Sequence, residues 1–162
     1  MEHVALENKL SPAFLKARLI SESIANIIGF IVLIGLFWMK GYFNWPEWAN
    51  WLVIGAFVIH CFGTVWSFIE PKFLYKSWGY QLDREFLQIS HGILKKEWVT
   101  VPMAKVQSVT TSQGPIMKAY QLRGIKVETM GSSHSIPALD EQVALELRER
   151  LAEYAKLKDV EE

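Results

Sequence analysis

The sequence predicts a two-helix transmembrane hairpin followed by an α+β, mainly β, domain closed by a C-terminal helix. Three observations predict it. Two long uncharged stretches, residues 23–39 and 48–69, flank a short segment, 40–47. The second half carries Val, Ile, Tyr and Trp between closely spaced turn residues, the pattern of short strands. From Asp140 onward the apolar spacing changes to three and four residues, the pattern of a helix.

At about 1.5 Å per residue the two stretches reach about 26 and about 33 Å as helices, against a hydrocarbon core of about 30 Å. Neither contains Asp, Glu, Lys or Arg, each of which costs about 2.5–3.5 kcal/mol near the bilayer centre. Trp38, Tyr42, Phe43, Trp45, Trp48 and Trp51 cluster around the connection, where amphipathic rings prefer the headgroup level. A cleaved signal peptide is disfavoured, because residues 1–22 mix acidic and basic groups and no small-residue cleavage pattern follows.

Ser11-Pro12 reads as an N-cap and a first-turn proline, so the first helix starts there and runs into the membrane, with Arg18 and Glu22 at the interface. Pro71 is read as the end of the second helix. Ala25 with Gly29, and Gly63 with Ser67, are small residues four apart and are read as the contact of the two helices with each other rather than as a dimerisation face.

Orientation follows from the flanking cations. Lys9, Lys16 and Arg18 precede the first span, Lys72, Lys76 and Arg84 follow the second, and the loop has Lys40. Both termini are therefore expected in the cytoplasm of a multi-pass protein of the bacterial cytoplasmic membrane. The expected organisation is a cytoplasmic segment 1–22, spans 23–39 and 48–69, an extracytoplasmic loop 40–47, and a cytoplasmic domain 73–157. With Cys61 the single cysteine, no intramolecular disulfide can form.

Strands are expected at residues 78–83, 87–91, 94–101, 106–112, 123–129 and 134–137, with reversals at Asp83-Arg84-Glu85, His91-Gly92, 102–105, Gly114-Pro115 and Gly131-Ser132-Ser133. Ile125, Val127 and Thr129 alternate with Lys126 and Glu128, giving one buried and one wet face. In the final helix, capped by Asp140, the expected apolar stripe is Val143, Leu147, Leu151 and Tyr154, with Glu146, Glu149, Arg150 and Glu153 on the other faces. That stripe must cover the small sheet.

Leu82-Asp83, Leu87 with Ile89 and Gly92, Val101-Pro102-Met103 followed by residues 105–109, Gly114-Pro115 and Ile136-Pro137 stand in an order that resembles the bacterial pleckstrin-homology (PH)-like domain of YdbS-like membrane proteins. The resemblance covers almost the whole chain, since that family places two membrane helices before the domain. It implies a PH-like half-open barrel of antiparallel strands plugged by the C-terminal helix, and it does not imply an enzyme. It also implies a membrane complex, with a larger relative carrying repeated PH-like domains as one partner, and an association with cell-envelope defence. Phosphoinositide binders of this fold carry a basic first loop, whereas Asp83-Arg84-Glu85 stands here.

Net charge is zero, yet residues 72–126 hold nine Lys and Arg against three Asp and Glu, and residues 127–162 hold four against nine. The basic half is read as a membrane-facing surface with Lys72, Lys76, Lys95 and Lys96 as candidate contacts, each cation contributing about 1 kcal/mol near an anionic leaflet. The alternative is that Lys95, Lys96, Lys105, Lys118 and Lys126 are scattered solvated positions.

No catalytic, cofactor or metal site is expected. His60 and Cys61 are adjacent in a helix and point about 100° apart; Cys61 is read as a packed small hydrophobe and His60 as a neutral ring bonded to a backbone carbonyl or a neighbouring chain. His134 between Ser133 and Ser135 lacks a nucleophile elbow, and the four histidines and one cysteine make no pair at ligand spacing. Zero net charge and a membrane anchor exclude a nucleic-acid binder. Two functions survive. The first is a non-enzymatic interaction domain held at the cytoplasmic face, with the bilayer, another membrane protein or a further copy as partners. The second is a small transporter or channel subunit whose spans oligomerise around Asn26, Asn50, His60 and Thr64.

Overall fold

The computed structural model describes the backbone of residues 6, 8–43 and 45–161, and the side chains of these except 40 and 157–161. Residues 1–5 and 7 of the expected segment 1–22, and residue 44 of the loop, lie outside the described residues. The elements in chain order are α1 (Ala13–Phe43), α2 (Glu47–Ser77), β1 (Gly79–Leu82), β2 (Phe86–His91), β3 (Glu97–Pro102), a 3-10 turn (Met103–Lys105), β4 (Val106–Ser112), α3 (Pro115–Ala119), β5 (Leu122–Thr129), β6 (Ser133–Asp140) and α4 (Glu141–Glu161). They form two units. One is Arg18–Lys72; the other combines residues up to Ala17 with those from Phe73 onward.

In the first unit α1 and α2, each a helix of 31 residues, are long and apolar enough to cross a membrane. Only 6% of the apolar window of either helix is buried, and side chains such as Ile31 and Ile59 are 62% and 74% exposed. Helices in a soluble core bury such side chains; these present them outward, as lipid-facing helices do. The ring of Phe30 meets Phe57 and His60 edge-on, at 5.7 and 4.6 Å between centroids. Gly29 makes that approach possible, because a Cβ there would stand 2.5 Å from His60 Cε1.

Two sequence expectations are corrected in this unit. Of the small residues, Gly29 and Ser67 face the partner helix, but Ala25 is exposed and a Cβ at Gly63 would meet nothing within 4 Å. The facing stripe on α2 runs through His60, Thr64 and Ser67, and Gly63 stands about 100° round from Thr64. Nor does Pro71 end α2, which continues to Ser77. Leu74 and Tyr75, beyond the proline, are half-buried against the core of the second unit, and that packing offsets part of the loss of about 3 kcal/mol from an interior proline.

The second unit holds two antiparallel sheets, ordered β1-β2-β3 and β4-β5-β6. Leu87 and Val101 pair across the first, and Val127 stands opposite Val109 in β4 and His134 in β6 in the second. Alternation in β5 is as expected: Ile125 and Val127 are buried to 1% exposure, while Lys126 is exposed. The residues before α1 join the sheets. Asn8 bridges Tyr80 in β1, the Ser11 amide donates to the Ala138 carbonyl of β6 at 3.2 Å, and Leu10, Phe14 and Ala17 are buried in the common core. The expected division at residue 22 thus did not anticipate that part of the leading segment folds with the barrel.

The last helix lies against β4, the 3-10 turn, β5 and β6. Its buried stripe is Ala144, Leu147 and Leu151, with Tyr154 half-buried. Val143, expected in that stripe, is 42% exposed: positions 144, 147, 151 and 154 form the a/d spacing, and 143 falls beside it. α3 was expected only as a reversal at Gly114-Pro115; Pro115 instead starts one short helical turn.

Candidate functional site

The sheets leave one side of the barrel open. Among the described residues no ladder joins β3 to β4, so each has one free edge, and the 3-10 turn spans the gap. A cleft of about 910 Å³ opens there, between the end of β3, Lys105, Gln107 and the β5–β6 reversal with Thr129, Met130 and Ser132. The register of β4 shifts between Val106 and Ser108, a bulge that spoils its edge for pairing, whereas β3 keeps its edge until Pro102, which has no N–H.

Three side chains of the cleft, Thr129, Ser132 and His134, are bonded in a chain. His134 Nε2 lies 2.9 Å from Ser132 Oγ, which lies 2.9 Å from Thr129 Oγ1. The neighbour of His134 is therefore Ser132, not the adjacent Ser133 or Ser135, because a reversal folds Ser132 back on Thr129; Gly131-Ser132-Ser133 was the only signal of it in the sequence. Ser132 is exposed, and among the described residues no acid orients the His134 ring. Nearby, Glu128 accepts from Lys126 Nζ at 2.6 Å and from Ser108 Oγ at 2.8 Å, and these bonds, with the Lys126 charge, hold its carboxyl below the usual range.

The four candidate lysines occupy two places. Lys72 and Lys76 are exposed and four residues apart, hence on one face of α2. Lys95 and Lys96 stand at the β2–β3 reversal, where Lys95 Nζ is 3.6 Å from Glu97 and Lys96 Nζ lies 5.4 Å from the Trp98 ring centre. Lys105 lines the open cleft, Lys118 is on α3 and Lys126 is paired with Glu128, so the basic residues do not make one patch.

Between the spans the polar residues satisfy one another. Asn26 Nδ2 donates to Ser67 Oγ at 2.9 Å, Thr64 Oγ1 donates to Asn26 Oδ1 at 2.7 Å, and His60 Nε2 lies 3.3 Å from the Asn26 carbonyl. A carbonyl only accepts, so His60 bears its proton on Nε2, the carbonyl-bonded ring expected from the sequence. Cys61 is a free, half-buried thiol. Among the described residues no three His, Cys, Asp or Glu side chains converge as metal ligands would.

A pair of apolar, outward-facing helices continuous with an open, helix-plugged antiparallel barrel defines a membrane protein carrying a PH-like domain. The chain belongs to the bacterial PH domain family, whose model matches residues 15–155. It is similar to the UPF0699 transmembrane protein YdbS of Bacillus subtilis (strain 168), with 35% identity over 153 residues, 94% of this chain and 95% of that one. No solved structure matches. The PH domain family is not an enzyme family, and the relative's name is that of a transmembrane protein.

Proposed function

We propose that the hairpin anchors the PH-like domain at the cytoplasmic face of the bacterial membrane, where the domain acts without catalysis as the docking part of a membrane complex. The observation that carries this reading is the free β3 edge beside the open cleft. An extended segment of a partner adds there as a further strand, main-chain bonds giving affinity and the cleft reading alternate side chains. Cations flanking both spans support the cytoplasmic orientation. Family resemblance supports another membrane protein, such as a larger relative with repeated PH-like domains, as the partner; cell-envelope defence rests on that resemblance alone.

Affinity purification of the full chain in mild detergent tests the reading. A stoichiometric membrane protein should accompany it, and Thr100→Lys, which puts a charge on the exposed β3 edge, should release that partner. A homo-oligomer that conducts ions, with no other protein bound, would overturn the proposal in favour of the channel.

A further inference from the structure

The free edge of β3 ends at a defined place. Pro102, the last residue of the strand, has no N–H, so a chain paired along β3 leaves the ladder there and passes over the mouth of the cleft. Glu97, the acid on this strand, is bonded to Lys95 and stands at the opposite end, about 17 Å away at the rise of an extended chain. The 3-10 turn that follows Pro102 is held firmly. Met103 is 1% exposed, its amide donates to the Glu85 carbonyl at 2.9 Å, and its carbonyl accepts from the Val106 amide.

That turn delivers Lys105 to the cleft. Lys105 is exposed, and no acid stands among the residues that line the cleft with it. Among the described residues Arg18, Lys95, Arg123, Lys126 and Arg150 each lie against an acid, whereas Lys105 has no ion pair. The β5–β6 reversal supplies a hydroxyl. The Ser132 amide donates to Thr129 Oγ1 at 3.1 Å, which fixes the reversal, and His134 with its ring proton on Nε2 donates to Ser132 Oγ. The Ser132 hydroxyl proton is then free to turn to an acceptor from outside.

We infer that the segment docking on β3 carries an Asp or Glu side chain where it passes Pro102, its carboxylate paired with Lys105 Nζ and accepting from the Ser132 hydroxyl. A cation without a partner, a hydroxyl with a proton to give and a lining without acids are complementary to a carboxylate. A basic residue at the same place would meet Lys105 with no acid to compensate, so the cleft rejects it. The inference rests on the docking reading of the β3 edge and adds to it the chemistry of the partner, an extended acidic peptide.

The test pans the purified full chain, in mild detergent, against a randomised library of short peptides that are acetylated and amidated and so bear no terminal charge. Binders should be lost with Thr100→Lys and should share Asp or Glu at one fixed position, which Lys105→Glu should convert to Lys or Arg. Lys105→Gln and Ser132→Ala should each weaken an acid-bearing binder by about two- to fivefold, the size of a surface ion pair or a single hydrogen bond. Lys105 is exposed, so its variants should keep the parent's unfolding midpoint. Binders that are lost with Thr100→Lys but show no charge preference, or one that Lys105→Glu does not move, would overturn this inference and leave edge docking standing. A library that yields no binder, or binders indifferent to Thr100→Lys, would overturn both.

Discussion

Ser11 Oγ donates to Asp140 Oδ1 at 2.7 Å, although 129 residues separate them. Ser11 is 4% exposed, its hydroxyl also accepts from the Ala13 amide at 3.3 Å, and Asp140 ends β6 immediately before α4. One hydroxyl thus caps the first turn of α1 and ties the leading segment to the end of β6. The Glu141 amide, donating to the Gln121 carbonyl at 2.9 Å, holds α4 from the other side.

Ser11→Ala removes a cap and a buried donor together. A loss of about 1–3 kcal/mol is expected, read as a lower midpoint in urea unfolding of the detergent-solubilised chain followed by tryptophan fluorescence. An unchanged midpoint would mean that the N-terminal segment does not contribute to the fold of the barrel.

Stability should fall in alkali because of Tyr80. Burial first, and then the Asp140 carboxylate, raise its phenol above the ordinary 10.0. A raised value means that the folded state holds its proton more tightly than the unfolded chain, so this contribution is intact below pH 10 and is lost as pH rises through the raised value. Tyr80→Phe should lose less stability above pH 10 than the parent, measured by unfolding midpoints across that range.

Gly29→Ala should separate the spans, since its new Cβ would meet the His60 ring at 2.5–2.7 Å. Overpacking of this kind costs about 1–3 kcal/mol. The same substitution with His60→Ala should cost much less than the two singles added, and a double-mutant cycle of hairpin stability measures that coupling.

Asn26→Leu breaks the bonds to Ser67 and Thr64. Interhelical bonds in membranes contribute about 0.6–2 kcal/mol, so hairpin stability should drop by that order while Asn26→Gln retains part of it. An effect on stability without any on ion flux separates a structural clasp from a channel lining.

What the sequence made legible was local. Val106–Ser112 was expected with the observed bounds, because a run rich in β-branched Val and Thr stands between clear reversals, and residues 94–101 give way to Glu97–Pro102 because the turn at Gly92 extends to Lys96. The place of Leu10 and Phe14 in the barrel was not legible: they are buried in a core built mostly from residues beyond position 73, and no local period records that. Pro71 was misread for the same reason, since the packing of Leu74 and Tyr75 that keeps α2 helical is tertiary. The lysines at the β2–β3 reversal were visible, but the near-complete exposure of Leu94 just before them needed the turn geometry.

The anchoring of this domain on the cytoplasmic side is the claim on which the functional account stands, and cysteine accessibility tests it most directly. In a Cys61→Ala background, Gly41→Cys should react with a membrane-impermeant maleimide in intact spheroplasts, whereas Ala152→Cys should react only after permeabilisation. Labelling of Ala152→Cys in intact spheroplasts would contradict the account.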